Sequence, residues 1–499
     1  MALPLFLSVL LIAACGLIYE LVASALASYL LGDSVTQFST VIGTYLFAMG
    51  AGSWLSRYLG RGLVARFVTI ELLVGLIGGF SSTILFLSFA YTGAFRFALY
   101  AMVSVLGVLV GLEIPLLMRI LRDRYEFKDV VANVLTFDYL GALAASLAFP
   151  ILLVPKLGLV RSALLFGMVN AGVALWSVWL FRAHLGARRQ LTAASTGVLL
   201  LLAGGMVGAA RITNLAEDSI YSDEVIFARD TRYQRIVLTA WKDDLRLWLN
   251  SHLQFSSRDE YRYHEALVHP GIAARPNARR VLVLGGGDGL AVRELLRYPG
   301  VQSITLVDLD PEMTRLFATH SLLTALNAHA FASPKVHVVN ADAFVWLDQA
   351  RDMYDFVVVD FPDPNNYGIG KLYTTAFYRL LSRHVARDGL VVVQATSPLF
   401  ARKSYWSIAE SMRQGGFRTY PYHLYVPSFG EWGFVLGSPD GTYTWPAELP
   451  AGLRFLTVAE VPRMFEFPAD MQPVPVEANR LNTQLLVRYY EQEWDRVNR

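Results

Sequence analysis

The order of apolar and polar positions divides the chain before any single residue is weighed. Seven apolar stretches, at 3–31, 38–55, 67–89, 97–117, 130–154, 160–181 and 191–210, each run close to the span of a bilayer-crossing helix, which is about 20 residues. After Arg211 that pattern stops. Short segments rich in β-branched residues follow at 225–228, 235–239 and 245–249, and 259–269 (DEYRYHEALVH) reads as a helix. From there strand and helix patterns alternate. Strands are expected at 281–284, 303–307, 336–339, 356–359 and 390–394. Valine on both faces of these strands implies a sheet covered on both sides.

The second half is organised around residues 280–310, RVLVLGGGDGLAVRELLRYPGVQSITLVDLD. A buried strand runs into a glycine turn (Gly285, Gly286, Gly287, Gly289), then a helix, then a second strand ending at Asp308 and Asp310. Gly285 and Gly287 let the backbone approach a ligand at the strand end, and an acid about 20 residues on can grip ribose hydroxyls. Asp288 is the unusual member, because a loop built for pyrophosphate avoids a carboxylate there. It marks either a ligand that is cationic at this point or a helix N-cap, and the residue alone does not decide.

Six acids fall just past four successive strand ends: Asp288, Asp308, Asp310, Asp342, Asp360 and Asp363. Any one reads as a cap or turn residue. Packed together they repel and raise one another's pKa values unless a cation sits among them. The pocket is therefore expected to take a nucleoside through Asp308 and Asp342, and a positive charge through Asp288, Asp360 and Asp363. No histidine ligand pattern accompanies the last three, so the cation is expected to be organic and no metal is expected. The fold expected is an α-helical transmembrane bundle of about seven spans, then an α/β Rossmann-like, methyltransferase-type domain with a small N-terminal β-layer. The boundaries read 1–210 for the multi-pass membrane domain, 211–276 for the β-rich segment, 277–440 for the nucleoside-binding catalytic domain and 441–499 for a covering tail.

Composition narrows the partners. The chain is 54% hydrophobic and 17% charged, with the apolar excess in the first 210 residues, so a lipid bilayer is the expected partner. A net charge of +2 with no basic stripe argues against nucleic acid. The single cysteine, Cys15, excludes a disulfide framework and a cysteine zinc site. The first apolar stretch lacks a basic leader and reads as a retained helix. Lys and Arg gather in the second, fourth and sixth loops (Arg57, Arg61, Arg66; Arg119, Arg122, Arg124, Lys128; Arg182, Arg188, Arg189). With seven spans, the positive-inside rule then places the N-terminus in the cytoplasm and the C-terminal half outside. The chemistry of that half favours the cytoplasmic side of a cell (inner) membrane, so the two arguments conflict. Glu20 and Asp138 fall well inside their spans, with Glu71 and Glu113 nearer the ends. Such acids mark either a cation path or interhelical hydrogen bonds between protonated carboxyls; with no basic partner, the second reading is preferred.

Over roughly 222–438 the sequence resembles the spermidine synthase (polyamine aminopropyltransferase) family. The matching elements are Tyr233-Gln234, Asp259-Glu260 with Tyr263-His264-Glu265, the GGGDG turn and Asp308. Further on come Asp342-Ala343, Asp360-x-x-Asp363-Pro364, Leu372-Tyr373 with Phe377-Tyr378, and Asp388-Gly389 with Gln394. The apolar half is similar to that of bacterial relatives with multi-pass N-terminal domains. The resemblance implies transfer of a propylamine group from decarboxylated S-adenosylmethionine to putrescine or a similar diamine, giving spermidine and methylthioadenosine, with no cofactor beyond that co-substrate. The donor carries a sulfonium and an ammonium, which suits a site lined by carboxylates. Carried over, Gln234 and Asp308 hold the nucleoside, Asp342 and Ala343 meet the adenine, and Gly285 and Gly287 form the turn. His264, Asp288 and Tyr263 face the amine substrate, Asp360 accepts the proton, and Asp363 steers the attacking amine. Homo-oligomerisation is left open.

Departures fall on the acceptor side. The family's Asp-Gly before the β-layer Gln is Asn250-Ser251, its small residues after the catalytic Asp are Phe361-Pro362, and its Gly-Pro-Ala is Asn365-Asn366-Tyr367. Where relatives carry a tyrosine-bearing loop the chain has Pro427-Ser428-Phe429-Gly430. Two other classes remain open at this level: an S-adenosylmethionine-dependent methyltransferase, which Asp288 opposes, and a membrane polyamine carrier or sensor whose soluble domain only binds.

Overall fold

Helical propensity and length organise the first part of the chain, and strand alternation the second. The computed structural model describes every residue except 1, 32–33, 93, 123–125, 183–184, 222 and 498–499, in two compact units, Met1–Gln234 and Arg235–Arg499.

Among the described residues the first unit holds long helices at Ala2–Leu31, Ser34–Leu55, Leu63–Thr92, Phe95–Arg122, Phe127–Ala148, Val154–Leu180 and Arg188–Ile220, and closes with strand β1 (Glu224–Asp230). Five stretches are long and apolar enough to cross a membrane: Pro4–Leu31, Leu63–Phe89, Phe95–Arg122, Phe127–Leu180 and Arg188–Ala209. The second apolar segment, with Ser34, Thr36, Gln37, Ser39, Thr40 and Thr44 along it, is a helix outside that group. The fifth and sixth are continuous in a 54-residue run. A straight helix of that length would reach about 80 Å, but this one has a π turn at Phe149–Leu153 and a break at Gly158 (φ 73°, ψ 177°). Both halves pack on the first helix: Phe137 stacks on Phe6 at 5.4 Å, and Cys15 Sγ donates to the Phe166 carbonyl at 3.5 Å. The run therefore folds back near Gly158.

Small residues set how closely these helices approach. A Cβ on Gly52 would stand 2.0 Å from the Val108 carbonyl oxygen, and one on Gly111 2.1 Å from that of Met49, the close backbone packing that glycine permits between helices. The acids are placed differently from their order along the sequence. Glu71 and Glu113 are fully buried and hydrogen-bonded to each other. Asn170 Nδ2 donates to Glu71 Oε2 at 2.8 Å, and the Tyr19 hydroxyl donates to Asn170 Oδ1 at 3.2 Å. Four helices are thus joined through Tyr19, Asn170, Glu71 and Glu113.

The second unit opens with β2 (Arg235–Trp241), β3 (Asp244–Leu249) and β4 (His252–Ser256), paired antiparallel in sequence order. β4 is an addition to the strands read from the sequence. Its hairpin turn is Asn250-Ser251, both with positive φ (49° and 65°), the geometry of a two-residue primed turn written without the usual glycine.

The main sheet contains β5 (Arg280–Gly285), β6 (Ser303–Asp308), β7 (Val336–Asn340), β8 (Tyr354–Asp360), β9 (Val385–Gln394), β10 (Arg418–Val426) and β11 (Gly430–Ser438), in the order β10-β11-β9-β8-β5-β6-β7. The strands β5 to β9 run parallel. The β10–β11 hairpin extends the sheet antiparallel and was not expected; Pro421 and Gly433 interrupt its pattern, and β10 tolerates a proline because it is an edge strand. Successive residues of the central strands enter opposite cores. Val281 and Val283 pack with Ala266, Leu267 and Phe434 on one face, while Leu282 and Leu284 pack with Tyr373, Phe377 and Tyr405 on the other. The tail reaches both faces, with Leu456, Val461 and Met464 on the first and Leu486 on the second.

Strand order reverses between β5 and β8, the switch point where doubly wound sheets bind ligands. Register places Gly285 opposite Asp360, and Gly286 N donates to the Asp360 carbonyl at 3.1 Å. Gly285 has φ +78°, and a Cβ there would lie 2.3 Å from the Asp360 carbonyl oxygen. Gly285→Ala should therefore lower the melting temperature and abolish turnover together; scanning fluorimetry and an activity assay on one preparation check both.

Candidate active site

The reversal point brings four strand ends into one crevice. From β5 come the glycine turn and Asp288; from β6, Asp308; from the end of β7, Asp342; from β8, Asp360 with Asp363 beyond it. The helix Glu260–Ile272 adds Tyr263 and His264 from one side, both buried.

Asp308 closes the turn onto its own strand. Its Oδ2 accepts from Gly287 N at 3.1 Å and its Oδ1 from Asp310 N at 2.9 Å. A Cβ on Gly287 would come within 2.7 Å of that carboxyl, so glycine is what allows the approach. Asp288 sits one residue ahead of Gly289, the N-cap of the following helix. Its Oδ1 accepts from Leu290 N at 2.8 Å, at the start of that helix, and the side chain is buried and faces the charges of His264 and Asp360. Asp310 is a helix cap, accepting from Glu312 N, and leaves the acid group. Asp342 caps the helix Ala343–Gln349 through Phe344 N at 2.9 Å and pairs with Lys371 through its other oxygen. Ala343 is the first residue of that helix and is buried. Gln234 closes a turn with Thr231 at the last residue of the first unit.

Asp360 is held at a defined angle. The Tyr263 hydroxyl donates to its Oδ1 at 2.6 Å, and the Tyr263 ring is fixed in turn by Phe429 (6.3 Å) and Phe434 (5.2 Å). Tyr263, read from the sequence as facing the amine substrate, is thus hydrogen-bonded to Asp360. The Pro427–Gly430 departure acquires a role here: Ser428 donates from backbone and hydroxyl to Asp259, which sets Phe429 against Tyr263. Asp363 is held by Gln394 Nε2 at 3.1 Å and Thr396 Oγ1 at 3.0 Å. Gln394 also donates to the Phe361 carbonyl at 2.7 Å, so one buried amide ties β9 to the segment after β8.

The electrostatics follow from burial. Desolvation, reinforced by the charge of Asp288, pushes Asp360 up to about 6 against the opposing His264 charge and Tyr263 hydrogen bond. Desolvation also pushes Asp363 up to about 6 and Asp308 to about 7, and raises Asp288. His264 moves the other way from an isolated buried imidazole. Burial disfavours its charge, but the hydrogen bond and charge of Glu260, with Asp288 and Asp360 behind them, hold its pKa above the usual value. Glu260 meanwhile forms a two-pronged pair with Arg293, 2.9 Å on each arm. The carboxylates around it thus tilt His264 towards its charged form against the effect of burial. Among the described residues no three His, Cys, Asp or Glu side chains gather as a metal site.

Residues 260–444 match the spermine/spermidine synthase domain family. Over 508 residues the chain is 57% identical to polyamine aminopropyltransferase 2 of Ralstonia nicotianae, covering 99% of each. It is 52% identical to the polyamine aminopropyltransferase of Leptospira interrogans over 493 residues, again 99% of each. The chain belongs to the polyamine aminopropyltransferase family. The spermidine synthase from Thermotoga maritima superposes on 49% of this chain and 84% of its own, at 21% identity and a TM-score of 0.45.

As an aminopropyltransferase the protein is an enzyme, and the methyl-transfer and binding-only readings give way. Sequence reading passed over Thr396, which stands at φ +60° at the end of β9 and reaches Asp363. It also passed over the Glu260–Arg293 pair behind His264. Neither carries a local signal, since both depend on which loops meet across the sheet.

Carboxyls whose folded pKa is raised favour the folded state at low pH, and that contribution is lost as pH rises through the folded value. The unliganded enzyme should therefore lose stability between about pH 4 and 7. Asp360→Asn should raise its melting temperature at pH 8 and change it far less at pH 4, as scanning fluorimetry reads directly.

Proposed function

We propose that this aminopropyltransferase moves the propylamine group of decarboxylated S-adenosylmethionine to putrescine, releasing spermidine and methylthioadenosine, from a site attached to a membrane. The observation that carries the reading is a pair of desolvated carboxyls, Asp360 and Asp363, at and just past the end of β8 at the β5–β8 reversal, with the charge of Asp288 in the glycine turn acting on Asp360. A donor with sulfonium and ammonium groups and a diamine acceptor are the positive charges such a crevice lacks.

In this reading Gly285, Gly287 and Asp308 hold the donor's ribose side, and Asp342 and Ala343 meet the adenine. His264 and Asp288 line the aminopropyl path. The acceptor nitrogen attacks the carbon bonded to the sulfonium. The C–S electron pair leaves with sulfur as a neutral thioether, and the proton of the attacking nitrogen passes to Asp360 while Asp363 aligns the amine. The leaving group is already activated, so alignment carries most of the rate, roughly 7–11 kcal/mol of barrier. Proton removal contributes about 10²–10⁴-fold.

Asp360→Asn should nearly abolish turnover while methylthioadenosine affinity stays within a few-fold. Wild-type kcat/KM should fall on the acid side with a limb near the Asp360 value of about 6, because the base must be ionised. Mass-spectrometric assay of purified protein with the decarboxylated donor and a panel of diamines tests the reaction. Formation of methylated product from intact S-adenosylmethionine instead would reject it.

Membrane attachment is supported by the five long apolar helical stretches. The protein should stay with membranes through high salt and be released only by detergent. The catalytic unit is placed on the cytoplasmic side by its chemistry and outside by the loop charges under a seven-span count. A reporter fused at the C-terminus distinguishes the two.

A further inference from the structure

The last helix of the chain, Leu485–Val497, lies beyond the segment matched to the synthase family and is fixed in place at both ends. At its start, the buried Asn479 donates to the Gly370 carbonyl at 2.9 Å and accepts from Leu486 N at 3.4 Å. Toward its end, Glu493 accepts from Lys403 N at 2.7 Å and Ser404 N at 3.1 Å, capping a neighbouring helix. The contact is close: a Cβ on Gly370 would stand 2.6 Å from Val487 Cγ2. Leu486, Val487 and Tyr490 share the buried face, the i, i+1, i+4 pattern of one helical stripe.

Tyr490 is only 8% exposed, and its phenol is hydrogen-bonded to the Asp363 carboxylate. With Gln394 on Oδ1 and Thr396 on Oδ2, it gives Asp363 a third donor, drawn from a part of the chain about 130 residues downstream. Burial and the neighbouring Asp363 charge push the phenol pKa well above its usual value, so it stays a neutral donor.

We infer that Tyr490 is a positioning residue of the acceptor subsite, and that the C-terminal helix belongs to amine recognition by holding the Asp363 carboxylate toward the incoming diamine. This rests on the proposed role of Asp363 in steering the acceptor. It also gives the acceptor side a tyrosine from the tail, in a chain whose β10–β11 turn carries none. Three donors on one carboxylate oppose the rise that burial imposes on its pKa and fix its orientation, so the acceptor's ammonium meets a preset partner.

The test is Tyr490→Phe in the full-length enzyme, which keeps the ring and its packing and deletes the hydroxyl. A hydrogen bond to a charged group is the interaction lost, so KM for the diamine should rise about tenfold. At saturating diamine, kcat should stay within about threefold and methylthioadenosine affinity should be unchanged, which also reports a folded site. Loss of a donor to the ionised form raises the Asp363 pKa, so the acid limb of kcat/KM for the diamine should move to higher pH. An unchanged diamine KM and acid limb overturns the inference, as does an equal loss on the donor and acceptor sides. Asp360→Asn run beside it separates the failures. If that variant stays active, the underlying reaction assignment falls; if it is inactive while Tyr490→Phe behaves as wild type, only the role of Tyr490 falls.

Discussion

The molecule is arranged around carboxylates kept out of water at the ends of parallel strands. Desolvating an ionised acid is unfavourable unless something positive repays it, and here Asp288, Asp308, Asp360 and Asp363 all carry pKa values raised chiefly by burial. The fold tolerates this because β5 and β8 meet in a register that leaves Gly285 against the Asp360 backbone. No side chain fits there, so the rim can close around a ligand. Removing that register would separate the acids and remove both the strain and the use of it.

A second layer controls how much of the charge is neutralised from within. His264 stands between Glu260 and the crevice, and Glu260 is already matched by Arg293. The network supplies one imidazolium-leaning ring close to Asp288 and Asp360 without filling the deficit. On the other side Gln394, Thr396 and Tyr490 hold Asp363, and they do so as neutral donors. Asp360, the proposed proton acceptor, is held differently, by one phenol, Tyr263. Two acids three residues apart, equally desolvated, thus differ in their hydrogen-bond donors, which matches the proposed division into proton transfer and binding.

The tail beyond the matched domain is structural and chemical at once. Glu265 accepts from the backbone amides of Arg454, Phe455 and Leu456 at 2.7–2.9 Å, tying the tail to the helix that carries Tyr263 and His264. In the first unit, Glu71, Glu113, Asn170 and Tyr19 are hydrogen-bonded to one another across helices, although one carboxyl oxygen of each glutamate is buried without a partner.

Much of this was legible in the residues themselves. The valine-rich strands, the glycine turn and the Asp360-x-x-Asp363 spacing follow local rules: alternation sets the sheet faces, positive φ favours glycine, and strand ends in a doubly wound sheet point to one crevice. The β10–β11 hairpin escaped because Pro421 and Gly433 break its alternation, and β4 because its turn uses Asn250-Ser251. Asp310 looked like a site acid and is a cap, since the same residue type serves both uses. What the sequence by itself determined was the inventory of charges and the strands that carry them. Which acid takes Tyr263, which takes Tyr490, and that Glu71 rather than Glu20 anchors the bundle network were decided only in three dimensions. Those pairings join residues roughly 100 or more positions apart, and their geometry depends on packing that no local pattern encodes.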